Sequence, residues 1–210
     1  MSCNRRQLRK HVLPRSFYDR DTIEVTRDLL GKCLVRVNAD GITTGLIVEA
    51  EAYLSHDDPA CHASRGRSRR NATMFGPCGR AYVYSIHARY CLNAVTEPDG
   101  IPSAVLIRAV EPLEGIELMR QRRGRDELRD LTRGPARLCE AFAIDRELDG
   151  WDLSRGRELW IAELPDQSLS ANEITTATRV GISSAQDLPL RFFVTSSRYV
   201  SKPGRPTKRR

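Results

Sequence analysis

Apolar and polar positions in this chain alternate with a period of two in several short runs and show helical spacing in fewer. The clearest run is Gly45-Leu46-Ile47-Val48-Glu49-Ala50-Glu51-Ala52-Tyr53. Its even positions Leu46, Val48, Ala50 and Ala52 are apolar, while Glu49, Glu51 and Tyr53 share the odd positions. Successive strand side chains point to opposite faces, so this predicts a strand that packs its even face and presents two carboxylates and a phenol together. Cys33 to Val37 reads as a preceding strand, Asn38-Ala39-Asp40-Gly41 as a hairpin turn, and Ile42 to Tyr53 as the return. Ala81 to Ile86, Ser103 to Val110 and a last segment near Leu190 to Thr195 are further strands.

A helix is expected from Asp21, a good N-cap, through Leu30, with Gly31 as its stop. Pro112 is expected to open another, running to about Arg123 and closed by Gly124, and Gly134-Pro135 a third, through Ala143. Ser55 to Met74 is a polar Gly/Ser/Arg loop of a length that is usually functional or disordered. Strands and helices interspersed with hairpin-like connections, without a βαβ rhythm, predict an α+β fold: one domain with a largely antiparallel, curved sheet flanked by helices. Residues 1–14 read as a basic N-terminal arm, 15–200 as the folded domain and 201–210 as a basic C-terminal tail.

Charge sharpens this division. Of the formal +7, residues 1–20 hold six Lys/Arg against Asp19 and residues 201–210 hold five with no acid, so the body between them sums to −3. Positive charge is therefore local: Cys61 to Tyr90 carries six arginines and no acid. An apolar content of 40% in 210 residues is enough for one substantial core. Only four of the 34 basic residues are Lys, and Lys32 alone lies in the body, which argues against Schiff-base chemistry. Six cysteines without a CxxC pair, an Arg-rich N-terminus and no long apolar run predict a cytoplasmic protein with reduced thiols and no membrane span. His56, Cys61 and His62 lack a second ligand pair at usable spacing, so neither metal nor cofactor is expected.

The chemistry open to these residues is acid–base work beside an anion-binding surface. On pattern alone Glu49 and Glu51 are either solvated on the outer face of an amphipathic strand or a like-charged pair in which Glu51 is a general base. Tyr82 and Tyr84 share a strand face and Tyr53 adds another ring, which suits either core packing or base stacking. Arg65-Gly66-Arg67-Ser68-Arg69-Arg70-Asn71 would repel itself as a free loop but suits contact with phosphates. Gly134-Pro135, with Arg133 and Arg137, offers free N–H groups at a helix start. Spacing alone thus yields a nucleic-acid-binding domain with a candidate acid–base residue.

Taken in order, several strings resemble the alkyladenine (3-methyladenine) DNA glycosylase family: Leu30-Gly31-Lys32, Ile47 to Leu54, His62, Arg70-Asn71, Met74-Phe75, Tyr82-Val83-Tyr84, Asn93, Leu106 to Pro112, Gly134-Pro135 and Arg179-Val180-Gly181. The likeness runs from about Phe17 to Val200. It implies a monofunctional hydrolase of base excision repair that cuts the N-glycosidic bond of alkylated or deaminated purines in duplex DNA after flipping the nucleotide. Under this resemblance Glu51 is the general base and Arg108 positions its water. Tyr53 on one side, with His62 and Tyr84 on the other, sandwiches the base, and Asn93 disfavours normal guanine. Arg65, Arg67, Arg70, Arg89, Arg133, Gly134 and Arg137 are implied to contact the DNA backbone. Where the family usually places an intercalating tyrosine this chain has His87, smaller and able to carry charge. The implied location is cytoplasmic and nucleoid-associated. A monomer is expected, because one flipped nucleotide needs one pocket.

Overall fold

The alternation over residues 45–53 becomes the centre of a 13-residue strand around which the sheet is organised. The computed structural model describes residues 5–165 and 169–202. Among them are strands β1 (Cys33–Asn38), β2 (Gly41–Tyr53), β3 (Ala81–Ile86), β4 (Arg89–Thr96), β5 (Ser103–Glu114), β6 (Leu159–Ala162), β7 (Ile174–Ala177) and β8 (Arg191–Val194). The helices are α1 (Arg5–Lys10), α2 (Arg15–Tyr18), α3 (Thr22–Asp28), α4 (Ile116–Arg123), α5 (Leu128–Leu131) and α6 (Pro135–Ala141). The sheet order is β3-β4-β5-β2-β1-β6, with β8 joining β2 and β7 joining β8, and every strand pair is antiparallel. The chain is thus an α+β domain, as its pattern predicts.

One edge of β2 pairs with β5 along most of its length, and the other pairs first with β1 and then with β8. Independently of this edge pairing, residues 47–52 of its second half are buried on both faces. Val48 and Ala50 join Ile107, Ala109, Leu92 and Ala94 in the main core, which α3 closes with Val25 and Leu29 and α6 with Leu138 and Phe142. The opposite face packs Tyr82, Met74, Val95 and Ala104 with Tyr53 and Tyr84. Asp21 caps α3, its carboxylate accepting from the N–H groups of Ile23 and Glu24.

Several expectations need correction. Pro112 does not open a helix, because β5 continues through it to Glu114. Pro112 lies opposite Gly45 beside a register irregularity, where a strand tolerates a residue without an N–H. The helix waits for Gly115, whose φ is 74°, and a Cβ there would lie 2.2 Å from the Ile42 carbonyl oxygen. Arg89–Thr96, not foreseen as regular structure, is β4. The basic lead-in is anchored at three positions: Leu8 is buried, Val12 bridges Ala162, and Leu13 N–H donates to Ile161. Residues 1–4 and 203–210, which hold most of the expected C-terminal tail, lie outside the described residues. Among those described, no helix is long and apolar enough to cross a membrane.

Candidate active site

Strand register assembles the site. Tyr82 lies opposite Asn93, Asn93 opposite Leu106, Leu106 opposite Glu51, and Glu51 opposite Arg191, a row crossing five strands. In the adjoining row Val95 faces Ala104 and Ala104 faces Tyr53. Residues directly opposite share a face, so these pairings bring side chains far apart in sequence to one surface. There Tyr53, Tyr82, Asn93 and Ala104 from these rows line a cleft together with His62, Met74 and Tyr84.

Paired bulges supply the cation. Ile47 faces Val110, Glu49 faces Ala109 and Ala50 faces Ile107, leaving Val48 extra on β2 and Arg108 extra on β5. The two irregularities cancel in register while redirecting the unpaired residues. Arg108 donates from Nε to Glu49 at 3.2 Å and from Nη1 to Glu51 at 3.1 Å. Glu49 also accepts from Arg191 at 2.9 Å and from the Ser201 N–H and hydroxyl at 2.6 and 2.9 Å. Glu51 Oε1 accepts from Val180 N–H at 2.8 Å, and Oε2 accepts from the Tyr53 hydroxyl at 3.0 Å.

Both carboxylates are fully buried, which rules out a solvated outer face. Burial raises the Glu51 pKa, opposed by Arg108, the Val180 N–H and the Tyr53 hydroxyl, with Glu49 adding a smaller upward push. Burial would strip charge from Arg108, but Glu51 and then Glu49 hold it cationic. Burial, and next the Glu51 charge, push the Tyr53 phenol far up, so it remains the donor in its bond to Glu51.

The rings are held as firmly. The Arg179 guanidinium lies 4.6 Å from the Tyr53 ring centroid, leaving the other face of that ring for a ligand. Arg179 is itself fixed by two 2.6 Å bonds to buried Asp58. His62 stands 4.4 Å from Tyr84, edge to face, and its Nδ1 is 2.9 Å from the Tyr82 hydroxyl. Partial burial lowers the His62 pKa, favouring the neutral ring. Asn93 Nδ2 donates to the Tyr82 carbonyl, fixing its side chain along the cavity wall.

Glu51, Arg108, Tyr53, His62, Tyr84 and Asn93 therefore converge. The other expected positions are peripheral to this cluster. Arg65, Arg67 and Arg70 are exposed on a loop that buried Asn71 holds, donating to the carbonyls of His62 and Gly66 and accepting from Ser68. His87 and Ala88 form the tip of the β3–β4 hairpin with φ of 48° and 61°, and His87 and Arg89 are exposed there beside half-exposed Ile86. Two left-handed central residues match the twist of a two-residue hairpin. Arg133 donates to the Val200 carbonyl and Arg137 pairs with Asp130, so both have partners within the protein. Gly134 precedes the seven-residue α6. Among the described residues no cluster of His, Cys, Asp or Glu is arranged to hold a metal, and the five described cysteines are buried.

Sequence reasoning named Arg179 only within a family-like string, without a role, and missed Arg191, Asp58 and Ser201. Arg191 did carry a signal, a charge inside the apolar run Leu190-Arg191-Phe192-Phe193-Val194, where burial demands a partner.

Comparison with known proteins identifies the family. Residues 16–198 match the family model described as methylpurine-DNA glycosylase. A protein of Carboxydothermus hydrogenoformans named "Putative 3-methyladenine DNA glycosylase" is 46% identical over 192 residues, covering 91% of this chain and 99% of that one. Identically named proteins of Methanoculleus marisnigri and Rubrobacter xylanophilus are 47% identical over 192 residues and 49% over 179. These alignments cover 91% and 85% of this chain, and 99% and 90% of the relatives. With a family model spanning nearly all of the folded region and a carboxylate–arginine–tyrosine cluster at its centre, the chain belongs to the methylpurine-DNA glycosylase family and is a DNA glycosylase, a hydrolase of N-glycosyl bonds.

Proposed function

We propose that this chain excises alkylated or deaminated purines from duplex DNA as a monofunctional, monomeric glycosylase, using base flipping and a water activated by Glu51. The observation that carries the reading is the 3.0 Å bond joining the buried Glu51 carboxylate to Tyr53, whose ring lines the cavity with Tyr84 and His62. A purine methylated at a ring nitrogen is a cation and a good leaving group. It would lie between the free face of Tyr53 and the Tyr84–His62 pair, where desolvated rings attract a cation by about 2 kcal/mol. Departure of the base builds positive charge on the sugar, which a nearby carboxylate stabilises.

Glu51 Oε1 accepts one hydrogen bond, from Val180, and its second lone pair can take an O–H of the attacking water. Attack at the sugar carbon passes the water proton to Glu51 and leaves an abasic site. Arg108, bonded to the other carboxylate oxygen, holds that group in place, and Asn93 disfavours the exocyclic amino group of normal guanine. His87 at the hairpin tip would occupy the space left in the duplex, while Arg65, Arg67, Arg70 and Arg89 would meet the backbone. Arg133, Gly134 and Arg137 form a more remote part of the proposed footprint. The expected location is the cytoplasm, at the nucleoid.

The direct test follows free-base release from duplexes carrying one lesion. Glu51→Gln is expected to slow single-turnover release by about 10²–10⁴-fold while lesion-duplex binding persists. Full activity in that variant would falsify the assignment of the base.

A further inference from the structure

The Arg108 guanidinium makes a different bond with each of its three nitrogens. Nε goes to Glu49, Nη1 to Glu51, and Nη2 to the Ser201 hydroxyl oxygen at 3.3 Å. That hydroxyl donates in turn to Glu49 at 2.9 Å, and the Ser201 N–H takes the other Glu49 oxygen at 2.6 Å. The three groups form a closed ring of hydrogen bonds beside the Glu51 carboxylate. A planar fork anchored at three acceptors cannot turn without breaking a bond.

Ser201 is delivered by a strap, residues 198–202, that is itself pinned. Arg129 donates to the Arg198 carbonyl at 2.9 Å, Arg133 to Val200 at 2.7 Å, and Arg191 to Lys202 at 3.0 Å. Within it Tyr199 and Val200 are buried. Neutralising Glu49 does not require a serine, since Arg108 and Arg191 already do so. The additional bonds fix direction.

We infer that Ser201 is a positioning residue: acting through Glu49 and Arg108, it sets the orientation of the Glu51 carboxylate that activates water. Arg133 then serves the reaction as an anchor of this strap. The inference rests on the glycosylase mechanism proposed above. Misplacing a reacting group by a fraction of an ångström lowers the rate without weakening substrate binding.

The test compares wild type, Ser201→Ala and Ser201→Thr in the full-length chain. Single-turnover release of a lesion base and Kd for the same duplex are measured, together with Tm. Ser201→Ala is expected to slow release about tenfold with Kd and Tm unchanged, and Ser201→Thr, which keeps the hydroxyl, to restore the rate. In a double-mutant cycle Glu49→Gln and Ser201→Ala should be strongly non-additive. Wild-type release in Ser201→Ala would overturn the inference alone, as would a loss that follows Tm and is not restored by threonine. A wild-type chain inert on every lesion duplex would remove the mechanism and this inference together.

Discussion

A buried carboxylate facing a buried arginine is pulled in opposite directions by burial and by charge, and Glu51 is such a group. Burial raises its pKa most strongly, Arg108, the Val180 N–H and Tyr53 lower it, and Glu49 raises it slightly. Arg179, stacked on Tyr53, and Cys91 are the other titratable groups near it. Because the base must be ionised, single-turnover release should fall as pH drops through a midpoint above the ordinary carboxylate value. A rate flat through that range would show that Glu51 does not accept the proton. The stability sign follows from the same shift. A carboxyl whose folded pKa exceeds its unfolded one favours the folded state below the unfolded pKa, and that contribution is lost as pH rises through the folded value. The contribution of this group to stability should therefore be greatest in acid and decline toward neutral pH, which the pH dependence of Tm in wild type against Glu51→Gln reads.

The second wall of the cavity depends on how an edge strand is anchored. β3 has β4 on one side only, and its outer edge is bound by the Gly150–Trp151 backbone at Ala81 and by side chains at Val83 instead of another strand. Val83 N–H donates to Asp149 at 2.9 Å and the Val83 carbonyl accepts from Arg146 at 2.6 Å. The other oxygen of Asp149 accepts from Thr73 at 3.0 Å, at the turn carrying Met74. One carboxylate thus ties β3, with Tyr82 and Tyr84, to the turn that brings Met74 to the cavity. Asp149→Ala should cost about 1–3 kcal/mol of stability by leaving the Val83 N–H unpaired. It should also loosen discrimination between lesion and normal bases. Calorimetry with base-release rates on matched duplexes checks both, and unchanged selectivity would confine Asp149 to a structural role.

Across the folded domain, charge is segregated in a way that suits a polyanion. The body between the termini is mildly acidic, while the exposed Arg65–Arg70 segment adjoins the mouth of the cavity through His62. Backbone contact by these side chains displaces counterions, so duplex affinity should fall steeply with salt. Replacing Arg65, Arg67 and Arg70 together by Ala should reduce the slope of log K against log salt by about 2–3. A slope left intact by that triple change would place the DNA elsewhere.

The sequence alone determined the existence of β2, the face shared by Glu49, Glu51 and Tyr53, the Asp21 cap and the acid-free basic run, because these depend on period-two alternation and local backbone chemistry. Even there, alternation was silent on whether the odd face met water. Glu49 and Glu51 are buried, and groups far downstream bond them, Arg191 and Ser201 to Glu49 and the Val180 N–H to Glu51, contacts that no local pattern encodes. The same limit applies to β4, whose polar ends Arg89 and Thr96 mask its strand character, and to Pro112, which resembles a helix start until strand pairing claims it. Tertiary structure decided the placement of Arg108 through two opposed bulges, and of Ser201 through a strap near the chain's end. Those positions are set by long-range hydrogen bonding and the need to pair buried charge, to which neighbouring residues contribute little.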